Sequence, residues 1–341
     1  MDPIGSAIID FTEAAYDLEL GDDEWLPTIL ERGLPVLDQG LGVAGYHYGR
    51  PPDADHVDLL RVHVASGPQD FAERHLRALS TTDPDVLRRQ LRPGCASTGS
   101  VVSKDNPEEL AHYVSHVDYC KDVLFLTAVD PRGAGVAIVA PLAELTTLSR
   151  QDAGRWQMLA AHVETGHRLR QGLRAVDVED DLSTDLPHDA EAIFDAKNFR
   201  LADATGRARE RAATDTLREA ALAVDRARGV MRDTDPEKAL EIWKALVQGR
   251  WSIVDWFDSD QRRFVLAIPN SPETVNPRGL SERESQIVAQ AVLGHTNKMI
   301  AYRLGLSTSR VSLLLRSAMK KMGARTRAHL VQKMSTFQPL R

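Results

Sequence analysis

The sequence predicts a multidomain protein in which two α+β domains precede an all-α domain of four short helices. Three observations support this fold class. The chain of 341 residues is longer than a usual single domain. Paired strand signals occur in two separate stretches, whereas the C-terminal stretch contains helix signals with clear caps. We place the domain boundaries at residues 5–176, 187–272 and 278–337.

The first predicted domain, residues 5–176, places helices around two hairpins. Its elements, in chain order, are helices at 5–20 and 23–37, strands at 41–49 and 56–65, a helix from 106 to about 119, strands at 122–130 and 135–142 around a turn at 131–134, and a long helix at 152–176. Alternating apolar residues predict the strands, and Pro and Gly predict the turn. The order of elements resembles a GAF domain, which implies a sensor-like α+β fold.

The second predicted domain, residues 187–272, follows an acidic stretch that has the composition of a solvated linker. Two short strands are predicted within 190–205, and helices within 206–232 and 236–247. Alternation on both sides of Asp258-Ser259-Asp260-Gln261 predicts a closing hairpin. This order of strands and helices resembles a PAS domain, again a sensor-like α+β fold.

The third predicted domain, residues 278–337, contains four helix signals separated by clear breaks. Ser281 and Glu284 form a capping box, and Thr296 and Ser307 each begin a further helix. Gly294 supplies a residue that can end the first helix. The second and third helices are joined by a three-residue turn with Gly305, which is the helix-turn-helix pattern.

The charge of the chain is unevenly distributed. Residues 278–341 contain 12 Lys and Arg against two acidic residues, which gives +10. The whole chain is −7, so the remainder is −17. A basic module on an acidic body is typical of nucleic-acid binding. The acidic upstream part could attract the basic C-terminal stretch and keep it from DNA, or it could hold two chains together as a dimer. The first effect would weaken DNA binding and the second would strengthen it.

The C-terminal residues resemble the luxR-type (GerE-like) DNA-binding domain. The resemblance rests on L-S-x-R-E-x-x-I-V from Leu280, G-x-T-N-K-x-I-A from Gly294, the S-x-x-x-V entry into helix three, and K-M-G-A-x-x-R from Lys321. It implies a transcription regulator that binds double-stranded DNA, with RNA polymerase as a further partner. In helix three the family's Thr-Val-Lys/Arg-x-His is replaced by residues 310–314, which read Arg-Val-Ser-Leu-Leu.

Helical spacing then predicts which C-terminal side chains face DNA. If Val311 and Leu315 turn inward, one stripe of helix three faces outward, and it comprises Thr308, Ser309, Ser312, Leu313, Arg316 and Lys320. Arg316 suits a bidentate guanine contact, and Leu313 a thymine methyl group. Arg310 lies beside this stripe at the helix start. Cations near helix ends are expected to contact phosphates, and these are Lys298, Lys320, Lys321, Arg325 and Arg327.

Other candidate sites are small-molecule pockets lined by aromatic side chains. Tyr46 and Tyr48 in the first strand could line such a pocket, although alternate residues of any half-buried strand would show the same pattern. Trp251 and Trp256 near Trp243 could form an aromatic ligand cage, but we favour their packing in a small core. His112, His116 and Cys120 have one-turn spacing that suits a shared metal, but no second ligand pair accompanies them. We therefore predict no metal, and the sequence leaves any cofactor unknown.

The predicted regulator is a cytoplasmic homodimer without a membrane partner. No apolar run approaches the length of a membrane span, and Cys95 and Cys120 are too few for a disulfide framework. The predicted dimer seam is the long helix 152–176, with its stripe of Trp156, Leu159, Val163 and Leu173, or else helix 206–232.

Three alternatives remain open. The helical stretch could be sigma-factor-like, the chain could be a partner-binding scaffold, or the first domain could be an enzyme. The sequence contains no G-x-x-x-x-G-K-[ST], G-x-G-x-x-G or G-x-S-x-G motif, so we predict no enzymatic activity.

Overall fold

The computed structural model describes residues 3–49, 57–91, 96–129, 134–178, 186–270, 280–322 and 324–331. The elements up to residue 178 are α1 (Pro3–Ala15), α2 (Asp22–Leu37), β1 (Val43–Gly49), β2 (Asp58–Ser66), α3 (Phe71–Ser80), α4 (Pro84–Gln90), β3 (Ala96–Thr98), α5 (Gly99–Val102), α6 (Pro107–His116), β4 (Asp122–Val129), β5 (Gly135–Leu142) and α7 (Arg150–Val178). The later elements are β6 (Ala192–Asp195), β7 (Leu201–Ala204), α8 (Arg211–Arg228), α9 (Met231–Thr234), α10 (Pro236–Ile242), β8 (Trp251–Phe257), β9 (Arg263–Pro269), α11 (Glu282–Val292), α12 (Asn297–Leu304) and α13 (Thr308–Lys321).

The chain divides into two compact units. The first comprises residues 1–168 and 227–240, and the second comprises residues 169–226 and 241–341. The upstream part is thus α+β with antiparallel sheets, and a helical domain follows it, as predicted. The division into three domains stays a prediction. The two compact units differ from it in three ways: residues 227–240 join the first unit, residues 169–176 join the second, and the rest of the predicted second domain shares the second unit with the predicted third domain.

The first unit is built on a five-stranded antiparallel sheet with the order β2-β1-β5-β4-β3. Both predicted hairpins are confirmed, with Tyr46 opposite Val62 and Phe125 opposite Val139. Strand β3 was not predicted, because three residues carry too little alternation. The predicted turn at 131–134 lies almost wholly outside the described residues. Every residue of β5 is buried, so helices cover both faces of the sheet.

Helix α7 packs against the beginning of the chain within the first unit. A Cβ atom at Gly166 would lie 2.0 Å from the Ala15 carbonyl oxygen, which accepts a hydrogen bond from the Trp25 indole N–H at 3.2 Å. Nearby, the Tyr16 hydroxyl is hydrogen-bonded to His162 Nδ1 at 2.8 Å. The position of Gly166 therefore requires glycine, since no other residue allows this approach.

The predicted dimer seam on α7 is wrong. Trp156, Leu159 and Val163 are 9%, 0% and 2% exposed in the single chain, so their stripe belongs to the chain's own core. The apolar stripe of α8 is buried in the same way, with Leu217 and Val224 at 0% and 4%. Periodicity identified the apolar faces correctly, but it could not tell whether the chain itself or a second copy covers them.

Residues 227–240 join the first unit through ion pairs. The Arg232 guanidinium pairs with the Asp10 and Glu13 carboxylates of α1, and Arg228 Nε lies 3.3 Å from Glu13 Oε1. The predicted helix at 206–232 is accordingly interrupted. It consists of a 3₁₀ turn at Gly206–Arg209, then α8, then the short α9.

The second unit contains a four-stranded antiparallel sheet with the order β7-β6-β9-β8. Both predicted hairpins are confirmed, with Phe194 opposite Leu201 and Val254 opposite Leu266. The helix predicted at 236–247 ends earlier, at Ile242. The next residues form a turn in which Gln248 and Gly249 have left-handed backbone angles. Among the described residues, no helix combines the length and apolar character needed to cross a bilayer.

We expect Gly166→Ala to destabilise the first unit by about 1–3 kcal/mol, because the added methyl group clashes with the Ala15 carbonyl oxygen. Gly154→Ala in the same helix is the matched control. Nothing lies within 4 Å of its Cβ position, so it should stabilise the unit by about 0.5–1 kcal/mol. Urea unfolding followed by circular dichroism measures both changes, and equal effects of the two variants would contradict the close packing.

Candidate nucleic-acid interface

Side-chain caps begin the three helices that lie wholly within the described part of the C-terminal stretch. The Ser281 hydroxyl accepts a hydrogen bond from the Glu284 N–H at 3.3 Å, and the Glu284 carboxylate accepts one from the Ser281 N–H at 2.8 Å. The Thr296 and Ser307 hydroxyls each accept from the N–H three residues later, at 3.2 and 3.1 Å. All three predicted caps are confirmed. Residues 327–331 are helical, and the later residues of the predicted fourth helix lie outside the described residues.

Helices α12 and α13 form a helix-turn-helix. Gly305 ends α12 with a left-handed φ of 61°, which turns the chain into Ser307 and α13. The three helices enclose an apolar core, which includes Ile287, Val288, Ala291, Ile300, Leu304, Val311, Leu315, Ala318 and Met322. Leu314 occupies the place where the family has His, and it is partly buried against this core. That departure from the family pattern is therefore a packing residue.

The predicted outward stripe of α13 is where the sequence placed it. Val311 and Leu315 are 0% and 7% exposed, whereas the Leu313 side chain is 53% exposed. Also exposed are Thr308, Ser309, Arg310, Arg316 and Lys320. Ser312 is half-buried, and its hydroxyl accepts a hydrogen bond from Asn297 Nδ2 at 3.1 Å. The face thus offers one guanidinium near its centre and one exposed apolar side chain beside it. Its contact with DNA bases remains a prediction.

The Glu284 carboxylate joins the start of α11 to the end of α13. It is buried, and it accepts hydrogen bonds from Ser317 Oγ and Lys321 Nζ, both at 2.6 Å. The bond from the Lys321 ammonium, followed by those from Ser317 and the Ser281 N–H, lowers the pKa of Glu284 to about 2. Sequence spacing identified Glu284 as a capping residue only. Its partners on α13 lie more than 30 residues away, beyond any local pattern.

Arg327 and Asn297 form a second cross-link that the sequence did not reveal. The half-buried Arg327 guanidinium donates to Asn297 Oδ1 at 3.1 Å and to the His295 carbonyl oxygen. Burial lowers the pKa of Arg327 from its ordinary value. The same Asn297 donates to Ser312, so one amide connects α12 with α13 and with the fourth helix. Arg327 therefore orders the domain in the structure without DNA.

The remaining predicted phosphate-contacting cations are exposed. Lys298, Lys320 and Arg325 lie on the surface of the C-terminal stretch. Lys298 Nζ is 3.5 Å from the Glu241 carboxylate, with its side chain 85% exposed. These three ammonium or guanidinium groups can move to meet phosphates, whereas Lys321 and Arg327 are already engaged within the domain.

The first-strand aromatic residues point into the interior of the first unit. Tyr46 and Tyr48 share one face of β1 and are buried, with ring centroids 6.2 Å apart. Tyr46 lines a cavity of about 40 Å³ together with His75, Ser103 and Tyr113. Burial lowers the pKa of His75 to about 4, so the imidazole is neutral at pH 7. A cavity of this size holds a few waters, and Tyr48 does not line it.

A cage that uses both Trp251 and Trp256 does not form. Five positions separate them in the continuous strand β8, so their side chains lie on opposite faces of the sheet. Trp251 is buried, and its indole N–H donates to Glu191 Oε2 at 2.8 Å. Trp256 packs on Phe264 with ring centroids 5.6 Å apart. Trp251 and Trp256 therefore do not share one pocket, and the favoured interpretation, core packing, agrees with the burial of Trp251.

His112, His116 and Cys120 do not lie on one helix as predicted, because α6 ends at His116. The His116 Nδ1 atom is 3.0 Å from the His112 carbonyl oxygen. The buried Cys120 thiol donates to the Val117 carbonyl oxygen at 3.1 Å, and burial raises its pKa to about 11. Among the residues that the structure describes, no group of three or more His, Cys, Asp and Glu could hold a metal ion.

Comparison with known proteins identifies the C-terminal stretch. Residues 278–334 match the family described as "Bacterial regulatory proteins, luxR family". No curated protein matches the chain. The solved structure "SdiA in complex with octanoyl-rac-glycerol" is 12% identical, with a TM-score of 0.31, covering 94% of this chain and 91% of that chain. That likeness is too weak to locate a site. The family match supports the luxR resemblance over the sigma-factor alternative, and the chain is a DNA-binding transcription regulator.

We expect Glu284→Gln to lower the thermal stability of the C-terminal domain at pH 7, because Gln cannot pair with the Lys321 ammonium. The carboxyl pKa falls from 4.5 to about 2 on folding. Its contribution is therefore present above pH 4.5 and is lost as the pH falls towards 2. Thermal unfolding of both proteins between pH 7 and pH 2.5 measures the converging difference. Glu282→Gln, on the same helical turn but half-exposed, is the control and should have little effect.

Proposed function

We propose that this chain, whose residues 278–334 belong to the luxR family of bacterial regulatory proteins, acts as a cytoplasmic homodimer. Each copy binds one DNA half-site through α13. The upstream α+β domains sense a small molecule or set the geometry of the dimer, and bound dimers contact RNA polymerase. The chain carries out no enzymatic reaction in this proposal. Turnover of any small molecule by the first domain would contradict it.

The exposed stripe of α13 is the observation that carries the proposal. A helix in the major groove reads bases through side chains near its N-terminal part. The outward stripe of α13 contains Arg316 among small or polar side chains, with the exposed Leu313 beside it and the exposed Arg310 at the helix start. Arg316 Nε donates to the Ser312 carbonyl oxygen at 3.3 Å, which orients the guanidinium along the helix. We assign Arg316 to guanine and Leu313 to a thymine methyl group.

Phosphate binding is assigned to the cations around this stripe. Lys298, Lys320 and Arg325 are exposed and supply charge without reading sequence. Lys321 and Arg327 would contribute through the domain's own structure, because Glu284 and Asn297 already bind them. The tail's charge of +10 supports electrostatic attraction to DNA.

Pairing of two copies is proposed from the size of the module. A single domain of this size buries little DNA surface, whereas two half-sites about one helical turn apart bind two linked domains together. The apolar stripes of α7 and α8 are buried within the chain. The proposed pairing therefore uses a surface outside these stripes.

A sensing role draws support from a cavity in the second unit. It has a volume of about 210 Å³, and its lining includes the apolar residues Val224, Leu246 and Ile253 and the charged residues Glu219 and Lys244. This volume suits a small organic molecule better than the 40 Å³ cavity beside Tyr46 does. Saturable binding of a small molecule without turnover would support the sensor over the enzyme.

Selection of binding sites from random duplex DNA with the full-length protein tests the proposal. We expect a two-fold symmetric sequence with half-sites about 10 base pairs apart. Sedimentation of the protein with the selected duplex should show two chains per duplex. Recovery of no preferred sequence, or of a single half-site bound by one chain, would disprove the dimeric reading.

We expect Arg316→Ala to cost about 1–3 kcal/mol of discrimination at one guanine of each half-site, because a bidentate contact is lost. Fluorescence anisotropy with the selected duplex and with its guanine-substituted versions measures this loss. Arg325→Ala is the matched control, since it removes the same side chain from a phosphate position. An Arg316→Ala protein with unchanged base preference would show that α13 is oriented differently on DNA.

We expect Lys320→Gln to weaken binding to all duplexes about equally. The slope of log K against log salt should fall by about one unit for each half-site, and so by about two units for the dimer. The physical reason is the loss of one released counterion per half-site. Binding titrations at salt concentrations of roughly 50 to 300 mM measure this slope, because phosphate contacts change the affinity strongly over that range. A shift in the preferred sequence would mean that Lys320 reads a base.

A further inference from the structure

A short turn of the second unit is inserted against the rear of the DNA-binding domain. We call residues 243–250 the docking segment. It follows α10 and precedes β8, and its residues Gln248 and Gly249 have φ values of 50° and 62°. Reciprocal backbone bonds between Val247 and Trp251 close it at 2.7 and 3.1 Å. The Gly249 carbonyl group of the segment faces α11, and the Trp243 carbonyl group faces α12.

Two buried hydrogen bonds join the docking segment to the helices. The Tyr302 hydroxyl of α12 donates to the Trp243 carbonyl oxygen at 3.0 Å, and Gln286 Nε2 of α11 donates to the Gly249 carbonyl oxygen at 2.9 Å. Tyr302 and Gln286 are each 5% exposed. Lys244 Nζ also lies 4.7 Å from the centre of the Tyr302 ring. Removing the segment would leave these polar groups without their buried partners, which is costly.

Leu246 completes the apolar core of the DNA-binding domain. It is 5% exposed and belongs to the same cluster as Leu280, Ile287 and Ile300, although it lies outside residues 278–334. Its carbonyl oxygen is 2.0 Å from the position that a Cβ atom of Gly305 would take. Gly305 thus permits both the left-handed end of α12 and the close approach of the docking segment.

The docked arrangement leaves the reading face open. The docking segment contacts Gln286, Tyr302 and Gly305, whereas Arg316 and Leu313 on α13 remain exposed. One predicted phosphate contact, Lys298, pairs with Glu241 just before the segment. That pair is 3.5 Å long and largely exposed, so it is weak. The contacts therefore hold the domain in a fixed orientation without covering its DNA-binding stripe.

We propose that the docking segment fixes the orientation of the DNA-binding domain on the β6–β9 sheet, so that the two move as one rigid body. The partner of the rear surface of α11 and α12 is this segment of the same chain. This step rests on the dimer of the proposed function. In that dimer the rigid body sets the distance between the two α13 helices and their relative rotation about the DNA axis. A dimer with flexibly tethered domains would tolerate many half-site spacings, whereas a rigid one accepts one spacing.

The first test measures the orientation without DNA. Spin labels are attached to full-length protein carrying Asp260→Cys and Arg325→Cys, both at exposed positions, with Cys95→Ser. Cys120 can remain, because its buried thiol with a pKa of about 11 reacts slowly. Excess unlabelled protein restricts double electron–electron resonance to pairs within one chain. We expect a single narrow distance distribution, and a broad one in the wild-type background would overturn the proposal.

The same measurement on docking variants identifies the cause. Leu246→Ala combined with Tyr302→Phe should broaden the distribution, whereas Leu201→Ala, a partly exposed leucine of β7, should not. Because Leu246 belongs to the core, Tyr302→Phe with Gln286→Leu is a second variant that keeps Leu246. It removes the two buried hydrogen bonds to the docking segment, together with the bond from Arg283 to Gln286 within α11. Circular dichroism verifies that both variants retain their helices. A narrow distribution in the second variant, with helices intact, would show that these bonds do not hold the orientation.

The second test uses selected DNA with half-sites at the preferred spacing or about five base pairs further apart, half a helical turn. We expect the wild type to bind the shifted duplex at least about tenfold more weakly and the variant with two lost hydrogen bonds to discriminate less than about twofold. As a control, both proteins should bind a duplex with one half-site with equal affinity, which shows that the DNA-binding stripe itself is unchanged. Equal discrimination by both would overturn the role in spacing, whereas absence of any selected DNA would refute the proposed function and leave the resonance result standing.

Discussion

One buried carboxylate holds the helix-turn-helix in shape. Glu284 caps α11 and also receives hydrogen bonds from Ser317 and Lys321 at the far end of α13. A charge can be buried in this way only when its partners are close and numerous. The angle at which α13 leaves the core therefore depends on these bonds, and the outward position of Arg316 depends on that angle.

Local physical signals made much of the fold predictable. The caps at Ser281, Thr296 and Ser307 and the two pairs of hairpins follow from contacts within a few residues, and the sequence contains all of that information. The α13 stripe could be predicted because helical periodicity decides which residues share a face with the apolar Val311 and Leu315 and which share the opposite face. Spacing also shows that Trp251 and Trp256 must face apart, since their separation in one strand is odd.

The missed tertiary contacts join distant parts of the chain. The stripe with Leu159 was correctly identified as apolar, but only tertiary structure shows that the first unit itself covers it. Asn297 and Arg327 find each other 30 residues apart, and Leu246 packs into a core whose other members begin at Leu280. No periodicity within one element reports such pairs.

The insertion of Leu246 has a consequence for how such proteins can be recombined. A domain that keeps its core within residues 278–334 could be exchanged between regulators as an independent cassette. In this chain the exchangeable piece begins earlier, because the residue that fills the core and the two carbonyl groups that satisfy Gln286 and Tyr302 lie upstream. A chimaera joined just before residue 278 would separate the docking segment from helices α11 and α12. A chimaera joined before residue 243 would keep the segment and these helices together.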